Sequence, residues 1–520
     1  MIDRILVLGG GSAGFLAGIF LKTLLPTLSV KVVRSSDIPI IGVGEGSLDA
    51  LTRFLHTTLG IDPNAFIKHA APTWKLGLRF LNWGPRPYFD YTFGRQFMVQ
   101  WRALPKLAGF YCDDLMEDCG PAAALMSENR VFQRTPQGAP KLESFAYHVE
   151  NKQFVGFLEA HAARVGVVIE DDTVVDVKQD DNGVSSLLMK SGRTETADLY
   201  VDCSGFASVL LGKALNEPFV SYGKTLYCDR SVVGGWERGP DEPIQPYTTV
   251  QGMEAGWCWR IDHENRINRG YVYSSAFLSD EQAEREFREK NPKVKMTRIV
   301  PFRTGRHRNN WVKNVVGIGN AGGFVEPLEA TSLAEICQEA HGLAQALIET
   351  DRQPRPLTVD RYNCRIARRW DDIRDFLGVH YKFNTHFDNA FWRACRADVD
   401  IGAAADVVDF YREHGPTSLF QLDVTHYDNQ FGLEGYWSLL VGQKVPFRKT
   451  HVPTADERAK WESIRSTFKA GAKNGFTVKE LLETIRAGRG AFAPMGEARA
   501  AHFPSMATTA PPTPPAPGRA

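Results

Sequence analysis

The sequence predicts a mixed α/β fold, with a discontinuous dinucleotide-binding domain interrupted by two insertions and followed by a mainly helical C-terminal region. Three observations carry this expectation. The chain opens as strand, glycine turn, helix and strand over residues 2–34, and strand-to-glycine text returns near 199–205 and 315–324. Between 351 and 490 the text reads as mainly helical. A chain of 520 residues, 43% of them hydrophobic, is also too long for one core.

The elements follow in order. IDRILVL at 2–8 is a strand, GGGSAG turns it, FLAGIFLKTLL follows as a helix, and VKVVR at 30–34 completes a βαβ unit. Gly9, Gly11 and Gly14 satisfy G-x-G-x-x-G after a strand and at the start of a helix. There the backbone can approach a pyrophosphate seated on the positive helix end, so these glycines with Ser12 and Ala13 are the expected cofactor turn of a Rossmann-like domain. The second strand ends in Arg34, not in the acid that binds a ribose hydroxyl. An arginine there can accommodate the 2′-phosphate of NADP; otherwise it packs beside an adenosine, with Asp37 as a turn residue.

Residues 51–150 are rich in aromatics and poor in long periodic helices, as expected of an inserted, loop-rich substrate region. Within them PTWKLGLRFLNWG at 72–84 alternates like a strand. Trp74, Leu76, Leu78 and Phe80 share one face, and Lys75, Gly77 and Arg79 the other. FVGFLEAHAARVG then reads as an amphipathic helix through Phe154, Phe157, Leu158, His161 and Ala162. Two strands follow around the hairpin signal Asn182-Gly183, with Val174 on the first as a cofactor contact. Residues 216–299 form a second aromatic insertion.

DCSG at 202–205 and GNAGGF at 319–324, the latter carrying Asn320, are strand-to-glycine turns that complete a flavin site late in the chain, so FAD and a fold of the flavin monooxygenase type are favoured. A helix over about 333–349 follows, with Leu333, Ile336, Cys337, Ala340, Leu343, Ala344 and Leu347 as its buried stripe. Ser332 and Glu335 fit a capping box. The first amides, near Thr331 and Ser332, make an anion-binding end for a reduced flavin ring or a small halide; an ordinary capped helix gives the same text. The expected division is 1–50, 151–215 and 300–350 for the FAD domain, 51–150 and 216–299 for the insertions, 351–500 for the helical region, and 501–520 for a disordered tail with PPTPPAP.

Sixty-one basic and 61 acidic side chains balance, so no general attraction for nucleic acid or anionic membrane is expected. The eight cysteines show neither CxxC pairs nor zinc spacing, which points to reduced, mostly buried thiols and no metal. The early apolar run FLAGIFLKTLLPTL is broken by Lys22 and Pro26 and is too short to span a bilayer, so a cytoplasmic enzyme is the expectation.

Four segments, taken with the flavin text, resemble the flavin-dependent halogenases of the tryptophan halogenase family. GWCWRI at 256–261 matches the WxWxI signature through Trp257, Trp259 and Ile261. IGVGEGSL at 41–48 is similar to the GVGE loop, VEPLEATS at 325–332 to the EPLES/T-type segment, and TWKLGLRFLNW to the lysine-bearing strand. They occur in the family's order across roughly residues 1–400. The resemblance implies that a separate flavin reductase supplies FADH2, that oxygen and chloride or bromide give hypohalous acid near the flavin, and that this acid crosses a tunnel to a lysine matched by Lys75. A glutamate matched by Glu329 then helps activate the electrophile, stabilises the arenium cation and takes its proton. Gly44, Glu45, Ala330 and Leu333 join the implied cofactor contacts, and Thr331 and Ser332 the implied halide site.

The residue types suit this chemistry. Lysine becomes nucleophilic when desolvation or another cation lowers its pKa, and Arg79 on the same face is the candidate cation. A carboxylate facing a developing cation stabilises it. An exposed strand lysine, and a structural ion pair for Glu329 or Glu326, are the plainer readings of the same residues.

Departures bear on the substrate. Asp262 follows Ile261 where proline usually closes the signature, which is read as a change of turn. Ala330 replaces a common serine, and Ser332 a halide-binding glycine. YTFG at 91–94 puts Tyr91 in place of histidine and keeps Phe93. Phe431 and Gly435 stand where the family holds the amino-acid group of tryptophan, leaving Tyr436 and Trp437 as aromatic candidates. Free tryptophan is thereby disfavoured against a simpler indole, a phenol or pyrrole, or a tethered aromatic. The expectation is an FADH2-dependent halogenase, compatible with a homodimer. The alternatives are an NADPH-using aromatic monooxygenase of the same fold, supported by Arg34, and a non-catalytic flavoprotein.

Overall fold

In a computed structural model, β1 (Arg4–Leu8), α1 (Ser12–Leu24) and β2 (Ser29–Arg34) form the opening βαβ unit. The described residues are 1–39, 44–94, 104–106, 109–113, 116–417, 421–426, 428–449 and 451–488. The start of the GVGE loop, at 41–43, and the tail expected at 501–520 lie outside them.

β1 and β2 pair in parallel at the centre of a six-stranded sheet, ordered Val168–Asp171, β2, β1, Leu199–Asp202, Val315–Gly317 and Trp311–Val312. Only the last strand runs antiparallel. A parallel sheet is covered on both faces, which is why RILVL is nearly all apolar and buried. α1 lies between the helix Asn151–Arg164 and α2 (Ser332–Glu349), each presenting an apolar stripe. The hairpin around Asn182-Gly183 forms as expected, from Val174–Asp180 and Gly183–Met189.

The text at 72–84 does not form one strand. β3 (Thr73–Lys75) pairs with Ala146–Val149 in a small sheet that also holds Glu45–Gly46. β4 (Gly77–Leu81) belongs to a seven-stranded sheet with Tyr88–Thr92, Thr248–Met253 and β5 (Gly256–Asp262). The chain changes sheets at Leu76, whose N–H donates to Pro246 O at 2.7 Å. Gly77 permits the crossing, since a Cβ there would lie 2.3 Å from Tyr91 O. Neither face is wet: Trp74, Leu76, Leu78 and Phe80 are buried, and so is Lys75.

The C-terminal region is helical. α3 (Pro356–Lys382) is the longest helix among the described residues, and α4 (Gly432–Gly442) packs beside it. No helix among the described residues is long and apolar enough to cross a membrane. Seven of the eight cysteines are buried, Cys364 is exposed, and none is in a disulfide.

Candidate active site

A cavity of about 610 Å³ opens where β1 meets α1. Two glycines are required there by close approach. A Cβ on Gly9 would lie 2.3 Å from Cys203 O, and one on Gly14 only 1.8 Å from Gly9 O. Gly11 is the N-cap of α1, has no side-chain cap bond and faces open space, so the positive helix end points into the cavity. Gly9, Gly11, Ser12, Ala13 and Arg34 line the wall, joined by Glu45, Val174, Asn320 and Ser332 from distant segments. Of the residues expected at the cofactor, Gly14 packs behind the turn, Leu333 lies in the core, and Ala330 contacts Gly46. Gly44 donates to Asn151 Oδ1 at 2.9 Å.

Cys203, Ser204, Gly205 and Phe206 also line the cavity, the turn that DCSG signals. Arg34 is held by Glu159 at 2.8 Å and Asp171 at 2.9 Å. Its charge is matched within the protein, contrary to the expectation of a free cation for a 2′-phosphate. A glycine cradle against an uncapped helix end, closed by two further glycine turns, fits the pyrophosphate and flavin of FAD.

Residues 45–47 lead from this cavity to Lys75. Glu45 is on the cavity wall, while Ser47 O accepts from Lys75 Nζ at 3.1 Å. Between them, a Cβ on Gly46 would meet Ala330 Cβ at 3.3 Å, Thr248 Oγ1 at 3.4 Å and Lys75 Nζ at 3.5 Å. The loop, the lysine strand and the PLEA turn therefore converge on one glycine. Burial pushes the Lys75 amine down to about 8, against Glu329 and Asp49, which pull it up. Arg79 plays no part in this. It belongs to the other sheet, where Nε and Nη2 bind Asp90 at 2.8 and 2.9 Å. Phe93 lies under the amine, its ring centre 5.3 Å from Nζ.

Glu329 ends the short 3-10 turn Pro327–Glu329 and is fully buried. Its Oε1 lies 2.7 Å from His380 Nε2 on α3, while Oε2 has no hydrogen-bond partner among the described residues. Glu326 is equally buried and makes no ion pair among the described residues. It accepts from Trp257 Nε1 at 2.9 Å and from the Tyr381 hydroxyl, and burial raises its pKa to about 7. This gives the first tryptophan of GWCWRI a concrete task.

The capping box at the start of α2 does not form. The helix begins one residue earlier than expected: Thr331 is the N-cap, without a side-chain bond, which puts Ala334 at the third helical position and Glu335 beyond it, where Arg369 of α3 takes both its oxygens at 2.6 and 2.9 Å. Asp262 is likewise no turn. It lies within β5, fully buried between Arg238 and Arg260, and its carbonyl accepts from Thr73 Oγ1 at 2.6 Å.

Beyond Glu329 lies an aromatic cluster. Phe431 stacks on Phe376 with ring centres 3.7 Å apart, Tyr436 meets Phe376 edge-on at 5.0 Å, and Tyr91 approaches it at 6.4 Å. Trp437 is not part of it. Its indole N–H donates to Thr417 O at 2.7 Å and its ring lies against Tyr411, so it is a core residue on the other side of α4.

A profile of the tryptophan halogenase family matches residues 4–460. The chain belongs to that family. Tryptophan 7-halogenase KtzQ of Kutzneria sp. (strain 744) is 33% identical over 468 residues, 84% of this chain and 87% of the relative. Among solved structures, MibH, a lanthipeptide tryptophan 5-halogenase, is 38% identical with a TM-score of 0.85 over 94% of both chains. BrvH, a flavin-dependent halogenase from Brevundimonas sp. BAL3, is 26% identical with a TM-score of 0.81 over 93% of this chain and 99% of its own. The enzyme is thus a flavin-dependent halogenase of mixed α/β fold, as expected.

Two residues beside Glu329 escaped the sequence reading, His380, which bonds it, and Phe376, which packs on His380. The one available signal was a histidine on the buried α3 stripe Ile373, Phe376, Leu377, His380. Asp49 was missed too. It opens the short helix after the 45–47 loop, exposed, and its charge is one of the two that pull the Lys75 pKa up.

Proposed function

We propose that this halogenase works on reduced FAD from a separate flavin reductase, converts chloride or bromide to hypohalous acid, and transfers the halogen to an electron-rich aromatic ring through Lys75 and Glu329. Bound FAD supplies, in its reduced form and with oxygen, the oxidising equivalent that halide needs. The chain's own residues do the rest. The uncapped start of α2 at Thr331 and Ser332 offers amides to a halide, with Ser332 on the cofactor wall. Lys75, partly neutral because it is dry, meets the hypohalous acid and holds it beside the ring. Glu329 turns a carboxylate toward the cation that forms when the halogen adds.

The observation that carries this reading is the convergence on Gly46. The segments that reach the cofactor cavity, 45–47 and 329–332, are those that touch Lys75 and carry Glu329.

The substrate we propose is an indole carried on a larger molecule, such as a tryptophan within a peptide. Phe431 and Gly435 offer no polar group to a free amino acid, and Phe431 packs flat on Phe376. MibH, similar over nearly the whole chain, is described as a lanthipeptide tryptophan halogenase.

The test supplies FAD, an added reductase, NADH, oxygen and either halide, with free tryptophan, simple indoles, phenols and tryptophan-containing peptides. Products are read by mass spectrometry for halogen isotope patterns. Halogenated peptide or indole is expected. Hydroxylated product, or NADPH consumed without the reductase, overturns the reading in favour of a monooxygenase.

A further inference from the structure

His380 is placed to do more than fill space. Its Nδ1 lies 2.9 Å from the carbonyl oxygen of Phe376, one turn earlier on α3. A carbonyl only accepts, so Nδ1 carries a hydrogen. Nε2, 2.7 Å from Glu329 Oε1, would be a bare lone pair facing a carboxylate lone pair unless one more proton lay between them. The pair therefore exists as imidazolium with carboxylate or as imidazole with carboxylic acid, with one proton between Nε2 and Oε1. Both side chains are fully buried, and the ring is fixed by Phe80, Trp83 and Phe376 at 5.4, 6.0 and 5.1 Å. Glu329 Oε2 is left buried and unpaired among the described residues. A buried carboxylate oxygen without a donor is costly to keep, which points to a partner that arrives with the substrate.

We propose that His380 is a positioning residue for halogen transfer, sharing one proton with Glu329 so that Oε2 alone faces the ring. The inference rests on the reading of Glu329 given above. When the ring carbon bearing the new halogen loses its hydrogen, the C–H electron pair returns to the ring and the proton bonds to Oε2. The shared proton then rests on Nε2, so the pair passes from neutral to one positive charge held as imidazolium. No further reactant is needed. Among the described residues, the charged or titratable groups that act on Glu329 are Lys75 and Tyr91 from the neighbouring strands, each of which also feels Asp49, and Glu326 caps the same turn.

The test uses full-length enzyme with FAD and reductase, on a substrate halogenated in the panel above and deuterated at the reacting carbon. His380→Gln keeps an N–H donor for Oε1 but cannot carry the shared proton, and His380→Phe keeps only the ring. Both variants should lower kcat by about tenfold to a hundredfold, with KM within about twofold. A deuterium isotope effect on kcat, absent in the parent enzyme, should appear in His380→Gln. A merely structural histidine would not produce that effect. If Glu329→Gln is slow while His380→Gln keeps the parent kcat and shows no isotope effect, the proposal is wrong and the role of Glu329 stands. If Glu329→Gln itself turns over normally, the role of Glu329 fails and the proposal falls with it.

Discussion

Lys75→Met keeps an unbranched side chain of similar length and removes the ammonium from a fully buried position. Burial lowers the Lys75 pKa from 10.5 to about 8 despite the opposing pull of Glu329 and Asp49. Each tenfold loss of proton affinity is worth about 1.4 kcal/mol, so this fall corresponds to about 3 kcal/mol of stability. The sign follows from where each state holds its proton. Below pH 8 both the folded and the unfolded chain are protonated, and the folded state bears the full cost of the buried charge. Between pH 8 and 10.5 the folded amine is neutral while the unfolded one is still charged, and the cost fades. Methionine never bears it. Lys75→Met should therefore be more stable than the parent at pH 7 by about 2–3 kcal/mol, after about 1 kcal/mol for the lost bond to Ser47 O. The advantage should vanish as the pH approaches 10.5 and give way to a deficit of about 1 kcal/mol, the lost bond to Ser47 O, and halogenation should be abolished. Melting temperatures of both proteins from pH 6.5 to 10, read by scanning calorimetry, check this. A methionine variant less stable at pH 7, by an amount that does not vary with pH, refutes the claim that this amine is desolvated.

Three further outcomes are expected. If the neutral amine is the acceptor of the halogen, the halogenation rate should climb toward a plateau above pH 8; since the charge of Glu329 raises the Lys75 pKa, the residual activity of Glu329→Gln should climb at lower pH. An unmoved limb would mean that the two do not interact. Trp257→Phe keeps the ring but leaves Glu326 with Tyr381 as its remaining donor, so it should lose about 1–3 kcal/mol while retaining flavin absorbance, and an unchanged melting temperature would count against the anchor. Gly14→Ala forces a Cβ to 1.8 Å from Gly9 O, and should lose FAD on desalting; tight retention would show that the turn can yield.

What the sequence made legible was what neighbours along the chain decide. The βαβ opening, the hairpin at Asn182-Gly183 and the stripe of α2 depend on local periodicity and turn chemistry, and each formed as read. The misreadings share one cause, a partner distant in sequence. Lys75 and Arg79 look alike on paper but sit in different sheets, because Leu76 bonds to Pro246 and Gly77 lets Tyr91 close in. Glu335 reads as the partner of a capping Ser332, but the helix starts with Thr331 as its N-cap and the carboxylate goes to Arg369, 34 residues later. Asp262 reads as a turn until two arginines converge on it within a strand. His380 had no motif to announce it, since nothing in its own helix says that its ring meets a carboxylate 51 residues upstream.

The EPLE turn shows why two identical side chains in one place need not share a role. Residues three apart on a 3-10 turn eclipse one another, so Glu326 and Glu329 both face α3, which answers with the consecutive residues Tyr381 and His380. Each carboxylate keeps one oxygen unpaired among the described residues, and both are buried. Their donors differ in kind. Trp257 and Tyr381 are neutral and hold their hydrogens, the tyrosine all the more because burial pushes its pKa well up; burial lifts Glu326 to about 7 against the pull of these two donors, and it can serve as a fixed anchor in either form. Glu329 meets an imidazole that exchanges a proton with it, and it faces the Lys75 ammonium. Only that arrangement can take up positive charge and return it without moving an atom of the scaffold. Exchanging the donors is therefore more informative than deleting either acid: His380→Tyr would leave Glu329 a second anchor, buried and hydrogen-bonded but no longer able to share its proton.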